Sequence, residues 1–206
     1  MYKPEEIEQA LSDYNKAYEF TIKTHKTDLE RIDSINGLMK NFDDFFYEYV
    51  YVVIASGFKG RVAARLTPLL VDCKGNMEKM QQIFKNQRKL NAIKDVWEKR
   101  NNWEELRSSF VNVDSLTNLP FIGNITKFHL ARNIGLISCA KPDLHLCRWC
   151  KIICGKDDEE AVMDITKIIG EKVGSKQGSV DFALWVWLSH NKGDVLECCN
   201  GGYAIR

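Results

Sequence analysis

Two neighbouring stretches decide how this chain is read: Leu119-Pro120-Phe121-Ile122-Gly123-Asn124-Ile125-Thr126-Lys127-Phe128-His129-Leu130, then Lys141-Pro142-Asp143-Leu144-His145-Leu146-Cys147-Arg148. In the first, Pro120 restricts a turn and Gly123 permits backbone geometry that a side chain forbids. The amides of Gly123, Asn124 and Ile125 then open an amphipathic helix, where unpaired N–H groups hold an anion such as a phosphate. Lys127 and Arg132 add positive charge. In the second stretch Asp143 falls in the first turn of the next helix, a position that favours an acid. His145 and Arg148, three residues apart, share one helix face. The pair of stretches reads as a backbone clamp for phosphate followed by a carboxylate with chemistry to do. A plain helix–turn–helix corner and a structural helix-start acid are the competing readings.

Outward from this centre the chain reads as helices throughout, an all-α fold. Apolar stripes place helices over about Glu5–Thr24, Asp28–Ile35, Phe42–Ala55, Val62–Leu70, Met77–Lys85, Arg88–Lys99 and Trp103–Phe110, with a short lead-in at Val113–Asn118. The helix after Gly123 should end near Gly135, a natural left-handed cap. Further helices run from near Pro142 to about Cys154, over Asp157–Glu171, and over Val180–His190. Phe42–Ala55 is apolar on most sides, which marks a central, buried helix. Ser56-Gly57 ends it, and Pro68 is expected to disrupt the next helix near its end. Asp157 to Glu160 is an acidic run suited to a helix N-terminus. Asp181 is read as the cap of the last helix.

The chain has 206 residues, 45% of them hydrophobic, enough for one domain or two small lobes sharing a cleft. Division into lobes is expected at 1–40 plus 136–206 and 41–135. The lack of 18 consecutive apolar residues excludes an obvious membrane span. The polar N-terminus, Met1 to Glu6, is not a signal peptide, so a cytoplasmic protein is expected. It is read as a monomer. Seven cysteines in such a compartment read as thiols. Cys147, Cys150 and Cys154 recur at the spacing of one helix stripe, and no metal ligand set is expected. Net charge is +1, which removes the argument from a strongly basic domain but leaves room for a local basic face on DNA.

A hairpin ending in glycine, a helix, a loop and then Asp-x-His-x-x-Arg about twenty residues after the glycine resembles the helix-hairpin-helix DNA glycosylase superfamily. The family's hairpin is Leu-Pro-Gly-(Ile/Val)-Gly; here Leu119, Pro120, Ile122 and Gly123 match it, and Asp143, His145 and Arg148 match the acid segment. Phe84 to Ile93 and Gly178 to Trp185 are similar to the family's upstream helix start and its late helix. The resemblance implies a two-lobed helical fold with a DNA-facing cleft, and a base flipped from duplex DNA before its N-glycosidic bond is hydrolysed. It implies Asp143 as the catalytic carboxylate and His145 and Arg148 as supporting residues. Leu119, Pro120, Phe121, Gly123, Asn124, Ile125 and Lys127 are the implied DNA contacts. Phe58, Tyr51 and Trp103 are candidates for the wedge or base pocket.

Two departures stand out. Phe121 replaces the family's first hairpin glycine. Ile125 stands where strand-cutting members carry lysine, and Lys127, roughly 200° further round a helix, is no substitute. The expectation is therefore a monofunctional enzyme with a water nucleophile. No cofactor is implied; a monovalent cation at the hairpin carbonyls is left open. The Lys-Pro-Asp-x-His-Leu form resembles a phage-related branch, which implies antiphage excision of hypermodified pyrimidines such as glucosylated hydroxymethylcytosine from phage DNA. Repair of an ordinary damaged base, a non-enzymatic DNA-binding module and a thymine-hypermodifying enzyme on the same scaffold stay open.

Overall fold

The computed structural model describes residues 2–191. All regular structure among them is helical: α1 (Pro4–Thr24), α2 (Lys26–Ser34), α3 (Phe42–Ala55), α4 (Gly60–Asp72), α5 (Met77–Ile83), α6 (Gln87–Glu98), α7 (Trp103–Ser108), α8 (Thr126–Asn133), α9 (Leu144–Cys154), α10 (Glu159–Val173) and α11 (Gln177–His190). Short 3-10 turns cover Lys99–Asn102 and Asp114–Asn118. The described residues divide into two units, one of residues 2–34 with 138–191, the other Ile35–Ile137. None of the described helices is long and apolar enough to cross a membrane.

In the Ile35–Ile137 unit, α3 is the axis. Phe45, Phe46, Tyr49, Val50, Val52, Val53 and Ile54 are all fully buried. The strand propensity of Val50 to Ile54 is overridden because the apolar run has helix length and helix punctuation. Asn41 caps α3 by accepting from the Asp44 amide, acids occupy its first turn, and Gly57, at φ +82°, follows its end. The helices α4, α6 and α8 pack on it. Pro68 does not disrupt α4, which continues through it to Asp72. The missing N–H is tolerated there, and the neighbouring Thr67 hydroxyl donates to the Ala63 carbonyl. Gly135 closes α8 at φ +75°, and a Cβ there would meet the Gly37 carbonyl oxygen at 2.1 Å, so only glycine fits.

The other unit wraps α1, α9, α10 and α11 around one core that includes Tyr14, Trp149, Cys150, Val162, Ile165 and Leu184. Trp149 is buried, and its indole N–H donates to Asp13 Oδ2 at 3.1 Å. Cys150 is buried and Cys147 and Cys154 are half-buried against the same core, all three as thiols. Burial pushes the Cys150 thiol well above its ordinary range. Cys198 and Cys199 lie outside the described residues. The acidic run does begin a helix, with Asp158 capping α10 through the Ala161 amide.

Tyr49 ties the core to the hairpin. Its hydroxyl reaches the Pro120 carbonyl at 2.6 Å and the Ala92 carbonyl at 3.2 Å. Tyr49→Phe should destabilise the protein by about 1–2 kcal/mol, because a buried carbonyl loses its donor. Urea denaturation with an unchanged m-value checks this; an unaltered midpoint would mean the bond contributes nothing.

Candidate functional site

The hairpin is built from a 3-10 turn, a tight turn and α8. Leu119 and Ile122 point into the core, 3% and 5% exposed. The Ile122 amide donates to the Leu119 carbonyl at 3.2 Å, closing a four-residue turn with Pro120 second and Phe121 third. Phe121 has φ +66°. Proline second and a positive φ third are the requirements of a type II turn, whose third position ordinarily takes glycine. The left-handed position is thus filled by Phe121 and not, as expected from the sequence, by Gly123, whose φ is not in that region and whose missing Cβ would touch nothing within 4 Å. Holding phenylalanine there costs about 1–2 kcal/mol.

The helix start also differs from the expectation. The Gly123 amide is not available to an anion, since it donates to Thr126 Oγ1 at 2.8 Å. Asn124 and Ile125 are exposed at the turn before α8, and their amides carry no hydrogen bond among the described residues. Lys127 lies 2.7 Å from Asp114 Oδ1 with only 12% of its side chain exposed, so it braces the 3-10 turn against α8. Leu119, read as a DNA contact, has its side chain in the core. Behind the hairpin, Asn133 Nδ2 donates to Glu48 Oε2 at 2.7 Å and Arg132 Nε donates to Asn133 Oδ1 at 3.5 Å, a buried polar group between α8 and α3. Arg132, read as added charge for a phosphate, belongs to that buried group.

Of the wedge and pocket candidates, Phe58 is exposed at the end of the α3–α4 turn. Tyr51 is half-buried, edge-on to His129 at 5.8 Å. Trp103 is a correction: it is buried, its indole donates to the Lys40 carbonyl at 2.9 Å, and its ring packs on Phe42, Phe45 and Phe110. It is core and not a surface platform.

In the other unit, Asp143 is the N-cap of α9 and not a first-turn residue. Its Oδ1 accepts from the amides of His145 at 3.0 Å and Leu146 at 3.3 Å. Its Oδ2 lies 3.6 Å from the Lys141 ammonium, and 14% of the side chain is exposed. The acid is thus fixed through one oxygen while the other lies beside a cation. His145 is half-buried on α9, and Arg148 is exposed on the same helix with no ion pair among the described residues.

The approach to Asp143 is held by α11. Asp181 is 2% exposed and does not cap that helix, which starts at Gln177 with Lys176 before it. Its Oδ1 accepts from the Lys141 amide at 3.0 Å, and the Ser138 hydroxyl accepts from the Gly178 amide at 3.1 Å. The Gly178–Trp185 segment therefore supports the loop that delivers Asp143. Sequence reasoning missed this because the contact joins segments far apart in the chain. Among the described residues no three His, Cys, Asp or Glu side chains are grouped to hold a metal ion.

These elements make the fold of the helix-hairpin-helix DNA glycosylases. The 8-oxoguanine glycosylase/lyase of Methanocaldococcus jannaschii, solved in complex with a 15-mer DNA containing 8-oxoguanine, is similar over 85% of this chain and 97% of its own, at TM-score 0.63 and 18% identity. The 8-oxoguanine DNA glycosylase of Thermotoga maritima matches over 88% and 96%, at TM-score 0.62 and 19% identity. No family model and no curated protein matches the chain. The all-α expectation is met, and the helical fold is shared with these solved glycosylases.

Asp143→Ala should cost about 1 kcal/mol through loss of the α9 cap, whereas Asp143→Asn, with an equally good capping side chain, should stay close to the parent. Chemical denaturation of both variants checks this; equal losses would mean that the cap is not what holds Asp143.

Proposed function

We propose that this protein is a DNA glycosylase, with Asp143 as its catalytic carboxylate. The observation that carries the reading is the division of labour on that side chain. One oxygen is locked to the α9 amides and the other lies 3.6 Å from the Lys141 ammonium, on a side chain 14% exposed, in a fold shared with a glycosylase solved on DNA containing 8-oxoguanine. Breaking an N-glycosidic bond develops positive charge on the sugar. A fixed carboxylate stabilises that charge and orients the water that attacks it. The exposed guanidinium of Arg148 is suited to a phosphate. The exposed turn at Asn124 and Ile125 offers two backbone amides for another.

In this reading the enzyme is monofunctional. Strand cutting needs an amine nucleophile at the hairpin. Ile125 occupies that place, and Lys127 is tied to Asp114. This separates it from the M. jannaschii protein, described as a glycosylase/lyase. The substrate is a modified base in double-stranded DNA. The sequence resemblance favours a hypermodified pyrimidine of phage DNA and an antiphage role; the structural likeness favours an oxidised purine.

The test incubates purified protein with duplexes carrying 8-oxoguanine, alkylated, deaminated and glucosylated hydroxymethyl bases, followed by alkali. The expected result is a free base and an alkali-labile abasic site on one class, with no protein–DNA adduct after borohydride reduction. No abasic site on any duplex contradicts glycosylase activity. A trapped adduct contradicts the monofunctional mode, and a retained base of altered mass supports modification over excision.

A further inference from the structure

The positive charge beside Asp143 works against the chemistry proposed for that acid. Lys141 Nζ lies 3.6 Å from Asp143 Oδ2, beyond hydrogen-bonding reach but close enough for a strong attraction. A carboxylate that stabilises a cationic sugar is weakened by a second cation at that distance, because the two positive charges compete for it. Nor does the acid need the ammonium to stay in place, since two α9 amides already hold its other oxygen.

The main chain under the pair is fixed. The Lys141 amide donates at 3.0 Å to Asp181 Oδ1, on a residue 2% exposed. The Lys141 carbonyl accepts from the Asp143 amide at 2.7 Å, which closes a three-residue turn around the buried Pro142. Only the lysine side chain is left to move. It is 26% exposed, its charge sits on a long flexible stem, and its ammonium makes no hydrogen bond among the described residues. A loosely held cation on a rigid turn can exchange one anion for another. DNA supplies the competitor, because its phosphates are dense and each one neutralised by a lysine releases a counter-ion. An ammonium binds a phosphate as a point charge and needs no bidentate geometry.

We propose, on the reading of Asp143 as the catalytic carboxylate, that Lys141 is its exchangeable counter-ion. In the free protein the ammonium stands at the carboxylate. On DNA it passes to a phosphodiester, and the charge of Asp143 is left to face the sugar. The charges balance in both states: the ammonium covers the acid in one and a phosphate in the other. Lys141 is thus a positioning residue that acts through Asp143, and the turn around Pro142 keeps the acid still while its partner leaves.

The experiment uses the full chain, with a duplex carrying a tetrahydrofuran abasic analogue as the binding probe and the modified duplex that the parent attacks for single-turnover rates. Lys141→Met should bind the analogue duplex about 10-fold more weakly, and the slope of log Kd against log salt should fall by about 0.9, the share of one phosphate. In base release its loss should fall on the half-saturating protein concentration and not on the saturated rate, because in the complex the ammonium has already left the acid. Lys141→Arg should recover both affinity and slope. Asp143→Asn should bind the analogue about 3-fold more tightly than the parent, since the ammonium no longer leaves a charged partner. That gain should vanish in the Lys141→Met background. An unchanged salt slope in Lys141→Met, an equal gain from Asp143→Asn in both backgrounds, or a loss confined to the saturated rate would overturn the exchange and leave the glycosylase reading standing. A parent that releases no base overturns the glycosylase reading, and one that binds no duplex overturns both.

Discussion

The bond on which the candidate site depends is the cap on α9. A carboxylate at that position satisfies two orphan amides of the helix, those of His145 and Leu146, and cannot swing away without exposing them. The restraint decides where the second oxygen sits, 3.6 Å from the Lys141 ammonium. It also means that the group proposed to do chemistry belongs to the helix framework. Asp181 extends the restraint backwards by holding the Lys141 amide from α11. The loop from Ser138 to Asp143 is thus fixed at both ends by buried or capping contacts. A catalytic group needs such support if it is to meet a developing charge without reorganising.

The hairpin unit follows a different logic. Its stability comes from the buried aromatic and aliphatic face of α3 and from Tyr49, which carries that core to the Pro120 carbonyl. Against this solid base the hairpin tolerates a phenylalanine at a position that favours glycine.

Much of this was legible in the sequence. The helix Phe42–Ala55 agrees in both boundaries, and the remaining helices agree to within a few residues, because their stripes, caps and glycines act locally. The place of Asp143 at a helix start was also readable, from proline before it and helical periodicity after it. What was not readable is what side chains do across the fold. Lys127 looks like a free phosphate ligand until Asp114 is found 2.7 Å away. Trp103 looks like a base platform until its indole is found on the Lys40 carbonyl. Asp181 looks like a cap because it lies near a helix start, but that helix begins earlier and the acid reaches the Lys141 amide. The exchange of roles between Phe121 and Gly123 is subtler. A Leu-Pro-x-x-Gly string says that a turn is present, but the dihedral angles decide which residue carries its left-handed position.

The most direct measurement compares single-turnover base release by the parent with that by Asp143→Asn, on whichever modified duplex the parent attacks, with the folded state of both verified by denaturation. Asparagine preserves the cap and removes only the charge. The account predicts an intact fold, retained DNA binding and a fall in the release rate of about 100-fold or more. A variant that releases the base at the parent rate would contradict the assignment of Asp143 and, with it, the mechanism built on that residue.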